Sequence, residues 1–214
     1  MQKSLKIALV GAAGMIGSRI AAEAARRGHS VSAFARHPER IAGAANVEAR
    51  QGDLFDEAAM AAAVAGHDVL ASAYAPPHDN AGKVLDASRA LVAIARAAGL
   101  KRLVAVGGAG SLEVAAGKQL VDTEGFPEQY KPYALAHREA LRFYRGVLDI
   151  DWTFFAPAAL IAPGERTGTF RTGADALIAD AKGESRISAE DYAIAFVDEI
   201  ENGRFIRKVA TVAY

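Results

Sequence analysis

Cysteine is absent from the 214 residues. That excludes disulfides, thiolate nucleophiles and cysteine metal sites. A surplus of either charge is missing too, since 25 Lys and Arg balance 25 Asp and Glu. A protein that binds nucleic acid through phosphate contacts needs a basic excess, so no nucleic-acid partner is expected. Histidine is scarce. His29, His37, His67, His78 and His137 show no zinc-type H-E-x-x-H pairing, and no metal is expected. Long apolar runs are also lacking. The opening "MQKSLKIALVGAAG" holds only a short apolar run before glycine, too short for a signal peptide or a membrane span. No membrane partner and a cytoplasmic location are therefore expected. What the chain does have is apolar residues, 51% of the total, which suits a folded globular protein with a substantial core.

The apolar residues come in short runs separated by helical patterns. "LKIALV" (5–10) is continuous and ends at Gly11, as a strand buried on both faces would. Residues 15–27 carry Ile16, Ile20 and Ala24 on one stripe and stop at Gly28, which predicts a helix. Further strands are expected at 30–36, 46–53, 68–75, 102–108, 151–157 and 204–214. Further helices are expected near 56–64, 80–98 and 133–146, and from a capping box at Ser188 and Asp191 to about residue 201. Alternation of this kind argues for an α/β, doubly wound parallel sheet. Residues 1–214 read as a single domain, with 157–186 forming a small lobe on the substrate side.

"GAAGMIG" places Gly11, Gly14 and Gly17 between the first strand and the first helix. Such a loop turns tightly at the first glycine, admits a pyrophosphate at the second and packs helix on sheet at the third. The helix N-terminus adds free N–H groups and a partial positive charge, which brings Ala13, Met15 and Ile16 into the candidate phosphate site. An acid that would hold a ribose 2′-hydroxyl is missing from the end of the second strand, "SAFARHPER". Arg36 stands there, with His37 and Arg40 close by. A guanidinium fits a 2′-phosphate, so NADP(H) is favoured over NAD(H); the alternative is a solvated surface arginine. Small residues at two strand ends, Ala71, Ser72 and Ala73 with Gly107 and Gly108, are candidates to line the nicotinamide half, or are small only because helices pack closely.

The G-x-x-G-x-x-G spacing and the strand order resemble the atypical and extended short-chain dehydrogenase/reductase superfamily, and within it the NADH-flavin reductase-like group related to biliverdin IXβ reductase and flavin reductase. "GDLFD", "VAVGGAGSLEV", "FAPAALIAPGERTGTFR" and "SRISAEDYAIAFVDEIE" carry the rest of the likeness. The resemblance implies an NAD(P)H-dependent oxidoreductase. It implies that Asp53 contacts adenine, with Leu54 beside it, or else that Asp53 is only a turn or capping residue. It implies that Pro157 and Ala158 border the nicotinamide. It also implies a proton-transfer group: Ser111 matches its serine approximately and Tyr133 its tyrosine, while His137 occupies the place of its lysine. A neutral histidine supplies no permanent charge. Tyr133 and His137 either serve the site or merely share a helix face.

A flat ring acceptor takes hydride with a proton from solvent and tolerates a missing relay. The reading is therefore an NADPH-dependent reductase of a flavin, quinone or tetrapyrrole-like small molecule, acting as a monomer or homodimer. Phe126, Tyr130, Phe155 and Phe170 are candidates for an apolar acceptor slot, or core, and Tyr74 is either a substrate contact or a strand-end aromatic. The alternatives are a carbonyl reductase or sugar-nucleotide epimerase using Tyr133, and a non-catalytic NADP(H)-sensing regulator.

Overall fold

The computed structural model describes residues 3–214, apart from the side chain of His78. In chain order it begins with strand β1 (Lys6–Val10), helix α1 (Met15–Arg26), β2 (Ser30–Ala35), β3 (Val47–Gln51), α2 (Glu57–Val64) and β4 (Val69–Ser72). There follow α3 (Lys83–Ala97), β5 (Arg102–Val106), β6 (Glu113–Ala115), β7 (Lys118–Gln119), α4 (Lys131–Arg145) and β8 (Asp151–Ala156). The chain ends with β9 (Leu160–Ala162), β10 (Arg171–Gly173), β11 (Arg186–Ser188), α5 (Ala189–Asn202) and β12 (Lys208–Ala213).

Eight strands form one sheet in the order β10-β12-β8-β5-β4-β1-β2-β3. All neighbours are parallel except β10, which runs antiparallel to β12. Alternation along the strands divides the core. Ala8, Val10, Phe34, Leu70, Leu103 and Phe154 pack with α2, α3 and α4. Ile7, Leu9, Ala33, Ala71, Val104 and Phe155 pack with α1 and α5. The fold is thus α/β and doubly wound. The chain runs outward from β1 through β2 to β3, then crosses back to β4 on the other side of β1, so the topological switch lies between β1 and β4. Open sheets of this kind bind ligands there, beyond the carboxyl ends of the strands.

Several elements depart from the sequence expectation. The strand expected over 68–75 pairs only to Ser72, because the chain leaves the sheet there. The helix expected from residue 80 begins at Lys83, after a 3₁₀ turn. The polar stretch before α4 contains the short hairpin β6–β7. In segment 157–186, β9 pairs with β11, while β10 joins the main sheet at its edge. Ser188 does cap α5, accepting from Asp191 N at 3.0 Å. The reciprocal half of the box is not formed. Tyr214 Oη accepts the Ser188 N–H, and the Asp191 carboxylate accepts from Gly168 N at 2.8 Å and from the Tyr214 hydroxyl at 2.9 Å.

Candidate functional site

A cleft of about 280 Å³ opens at the switch point. It is lined by Gly11, Ala13 and Gly14 after β1, by Arg36, His37 and Arg40 after β2, and by Asp53, Leu54 and Phe55 after β3. Ala73, Tyr74 and Ala75 complete it from the loop after β4. Gly11 turns out of β1 with φ +80°, and a β-carbon there would sit 2.6 Å from the Ala73 carbonyl oxygen. At Gly17 a β-carbon would stand 2.1 Å from the Gly11 carbonyl oxygen. The polypeptide itself therefore demands both glycines. Gly14 differs: its backbone is extended, and a β-carbon would find ordinary contact at 3.4 Å. The space over Gly14 belongs to the cleft. Met15 and Ile16 follow as the first helical turn, exposed and half-buried, with Met15 N-terminal on α1.

Arg36 and Arg40 are exposed, and their guanidinium groups make no ion pair or hydrogen bond to any described residue; the Arg40 N–H donates to the His37 carbonyl at 3.1 Å. Asp53 is both cleft wall and turn residue. Its Oδ1 accepts from Phe55 N at 3.0 Å, while the cap of α2 is Asp56, which accepts from Ala59 N at 3.2 Å. Leu54 is buried below the cleft floor. Phe55 and Tyr74 meet edge to face, with ring centroids 5.7 Å apart, and Lys83 Nζ lies 4.8 Å from the Phe55 centroid. Lys83 and Phe55 carry no sequence signal, because their meeting depends on how α3 docks.

Not every small strand-end residue reaches this surface. Ala71 is fully buried in the core beneath α1 and α5, and its smallness is a packing requirement. Ser72 is buried and faces an internal cavity, not the cleft. Gly107 and Gly108 lie farther along the carboxyl edge, where added β-carbons would strike Phe154 and His137. Pro157 is buried just past β8. Phe155 does not line the switch-point cleft. It is core, with centroids 5.3 Å from Tyr192 and 5.6 Å from Phe196. Phe170 packs into the same core, on the face of the sheet occupied by α5.

Tyr133 and His137 do share one face of α4, their ring centroids 4.8 Å apart. Burial pushes the Tyr133 phenol up to about 12, with Tyr74 adding to the effect. Burial alone lowers the His137 imidazole to about 4. The histidine in the lysine's place is therefore neutral and carries no charge that would ease loss of the tyrosine proton. Ser111 is buried, and its hydroxyl donates to the Gly108 carbonyl at 2.9 Å. Among the described residues no group of three or more His, Asp or Glu is arranged to hold a metal. No helix among them is long and apolar enough to cross a membrane.

The sequence pattern of NAD(P)H-binding proteins matches residues 11–202. The chain belongs to the NAD(P)H-binding family. Family membership fits the short-chain dehydrogenase/reductase resemblance. Among solved structures, a "putative exported protein" from Burkholderia pseudomallei is 68% identical, with 98% of this chain and 100% of that one covered at a TM-score of 0.92. A "putative epimerase" from Bacteroides thetaiotaomicron is 37% identical, with 99% and 98% covered and a TM-score of 0.92. A "putative NADH-flavin reductase" from Streptococcus pneumoniae is 31% identical, with 98% and 99% covered and a TM-score of 0.88. In this NAD(P)H-binding chain, the cleft at the switch point has the place and the glycine wall that a dinucleotide requires.

Proposed function

We propose that this protein is an oxidoreductase that takes NADPH in the switch-point cleft and reduces a flat conjugated acceptor, a flavin, quinone or tetrapyrrole-like ring. The observation that carries the choice of nucleotide is the pair of exposed arginines, Arg36 and Arg40, which line the cleft with unpaired guanidinium groups where an acid would otherwise hold a ribose. Guanidinium groups left without partners are available to a 2′-phosphate as charge-assisted, fork-like donors. The backbone of Ala13, Gly14, Met15, Ile16 and Gly17 then receives the pyrophosphate at the N-terminus of α1. Asp53 and Leu54 border the adenine, and Ala73, Gly107, Gly108 and Pro157 border the nicotinamide half.

The bound dinucleotide supplies a hydride, which an oxidised conjugated ring accepts while solvent delivers the proton. The reacting end suits that division of labour. A phenol pushed up to about 12 and a histidine held neutral make a poor relay. Tyr133 and His137 instead shape the floor on which the rings lie, and Ser111 holds the turn after β5. The name of the pneumococcal relative supports reduction of a flavin-type acceptor. The name of the Bacteroides relative favours a second reading, in which Tyr133 serves epimerase or carbonyl chemistry.

Steady-state NADPH oxidation with free flavins, quinones and a tetrapyrrole decides the matter, with simple carbonyl compounds run alongside. Acceleration by at least one conjugated ring is expected. Turnover of carbonyls alone would favour the second reading. Tight NADPH binding with no turnover of any acceptor would make the protein a sensor of the nucleotide.

A further inference from the structure

Behind the reacting end, α3 and α4 close over the carboxyl ends of β4, β5 and β8 and leave an internal cavity of about 20 Å³. Most of its wall is apolar. Buried polar side chains interrupt it: Ser72 at the end of β4, Ser88 on α3, and His137 and Tyr144 on α4; the half-buried Tyr74, which also lines the cleft, borders it as well. Two of these bring buried atoms with nothing to bond. His137 Nδ1 and the Tyr144 hydroxyl have no hydrogen-bond partner, although their residues are only 6% and 1% exposed. Buried polar atoms are otherwise almost always paired, and an orphan signals an unseen partner.

We propose that a single water molecule is a fixed part of this protein, seated between Ser72, Ser88, His137 and Tyr144, and that it sets the tautomer of His137. The size fits. A cavity needs roughly 10–15 Å³ of such volume to hold one water, so this one admits one and not two. The hydrogen-bond valence fits as well. Ser88 Oγ donates to the Val84 carbonyl at 2.9 Å, so toward the cavity it can only accept. Ser72 Oγ accepts from Tyr74 N at 3.2 Å, and its own proton remains to be donated. The Tyr144 phenol is a donor, and a neutral His137 ring offers Nδ1 as an acceptor. These four groups offer two donors and two acceptors, and water has two of each to match. Ser88 stands close enough to influence the Tyr144 phenol without completing a hydrogen bond to it. Even if those two paired directly, His137 Nδ1 would stay orphaned without the water.

The consequence reaches the cleft. A water that donates to Nδ1 leaves the ring proton on Nε2, because a neutral imidazole has one donor and one acceptor. His137 packs on the Gly108 backbone and edge to face with Tyr133. Ser72 directly precedes Ala73 and Tyr74, which line the cleft. The water thus ties the cleft wall to α4 and makes Tyr144 a positioning residue for His137. None of this depends on which nucleotide or acceptor binds.

A crystal structure of the protein at a resolution that shows ordered water tests the site directly. One density peak within hydrogen-bond distance of His137 Nδ1 and Tyr144 Oη is expected, and a dry cavity would overturn the proposal. Nitrogen-15 NMR of histidine-labelled protein reads the tautomer. A protonated Nε2 and a hydrogen-bonded, unprotonated Nδ1 are expected; a protonated Nδ1 would overturn it. In Tyr144→Phe the Nδ1 signal should move toward that of a free ring nitrogen, and an unmoved signal would refute the coupling. If Tyr144→Phe does not fold, Ser88→Ala reads the same signal with the same two outcomes.

Discussion

A β-carbon on Gly14 would lie 3.4 Å from the Gly11 carbonyl oxygen, an ordinary contact, whereas on Gly11 or Gly17 it would collide with backbone. Gly14→Val should therefore fold normally and fill the cleft instead. NADPH affinity should drop by at least about 100-fold, which corresponds to about 2.7 kcal/mol, with the thermal transition unchanged. Unchanged affinity in the folded variant would remove the pyrophosphate from this wall. At the other end, Arg36→Ala should weaken NADPH by about 10- to 100-fold, the size of one charge-assisted hydrogen bond, and leave NADH nearly unaffected. Equal losses for both nucleotides would show that Arg36 does not read the 2′-phosphate. At the reacting end, an essential general acid is worth about 100- to 10,000-fold in rate. Tyr133→Phe and His137→Ala should each lower kcat with a flavin or quinone by less than about tenfold. A loss near the top of the general-acid range, with nucleotide binding intact, would make the pair a working relay. The glycine wall and Arg36 were legible in the sequence because each follows its strand directly. The burial of His137 was not, since its spacing from Tyr133 is the same whether α4 turns that face to solvent or to the core.

Among the elements, the strap over 163–169 depends most on a few side chains. Gly164 N donates to Glu190 Oε2 at 2.7 Å, and Arg166 pairs with the buried Glu23 of α1 at 3.1 Å. Thr167 Oγ1 and Gly168 N both donate to Asp191, which is fully buried in the first turn of α5. Asp191→Ala would remove the shared acceptor of those two donors and of the Tyr214 hydroxyl, with solvent left to meet the exposed Thr167 and Gly168. A cost of about 1–3 kcal/mol in urea unfolding follows, with limited proteolysis starting inside the strap. Unchanged stability, or a first cut elsewhere, would show that the strap is held by its other contacts. These links were invisible beforehand for a plain reason. Ser188 and Asp191 have the spacing of a capping box, and only the return of Tyr214 alongside them diverts the carboxylate. The main sheet was readable because most of its parallel strands are apolar runs; β3, VEARQ, is the polar exception and lies at the edge. The hairpin β6–β7, the pair β9–β11 and the edge strand β10 are two or three residues long, too short for any period to appear. Their pairing is decided by what the large elements leave uncovered.

Over the whole molecule the charges sum to zero, so general repulsion does little and individual buried groups govern stability against pH. Tyr144 and Tyr192 are pushed upward by burial and stay neutral through the acid range. Asp149, held down to about 2 by Arg96, is exposed and screened, and acts only in stronger acid. Among the described residues, His137 is the histidine whose resolved shift falls in the working range. Tyr133, Phe154 and the Gly108 backbone pack against it, Ser72, Ser88 and Tyr144 share its cavity, and burial alone lowers it to about 4. An unfolded histidine titrates near 6.5, so the unfolded chain takes the proton first as pH falls. Stability is then whole above about pH 6.5 and erodes toward about pH 4. Between about pH 7 and pH 5 the loss from this one ring comes to about 2 kcal/mol. Urea denaturation at those two pH values, on the native chain and on His137→Gln, isolates it. The variant starts from a different stability, but it has no imidazole to titrate there, so the drop between the two pH values should shrink by about that amount. An equal drop in both proteins would mean that the folded state accepts the proton on His137. The ring would then carry charge beside Tyr133 in acid, and the case against a proton relay would fall with it.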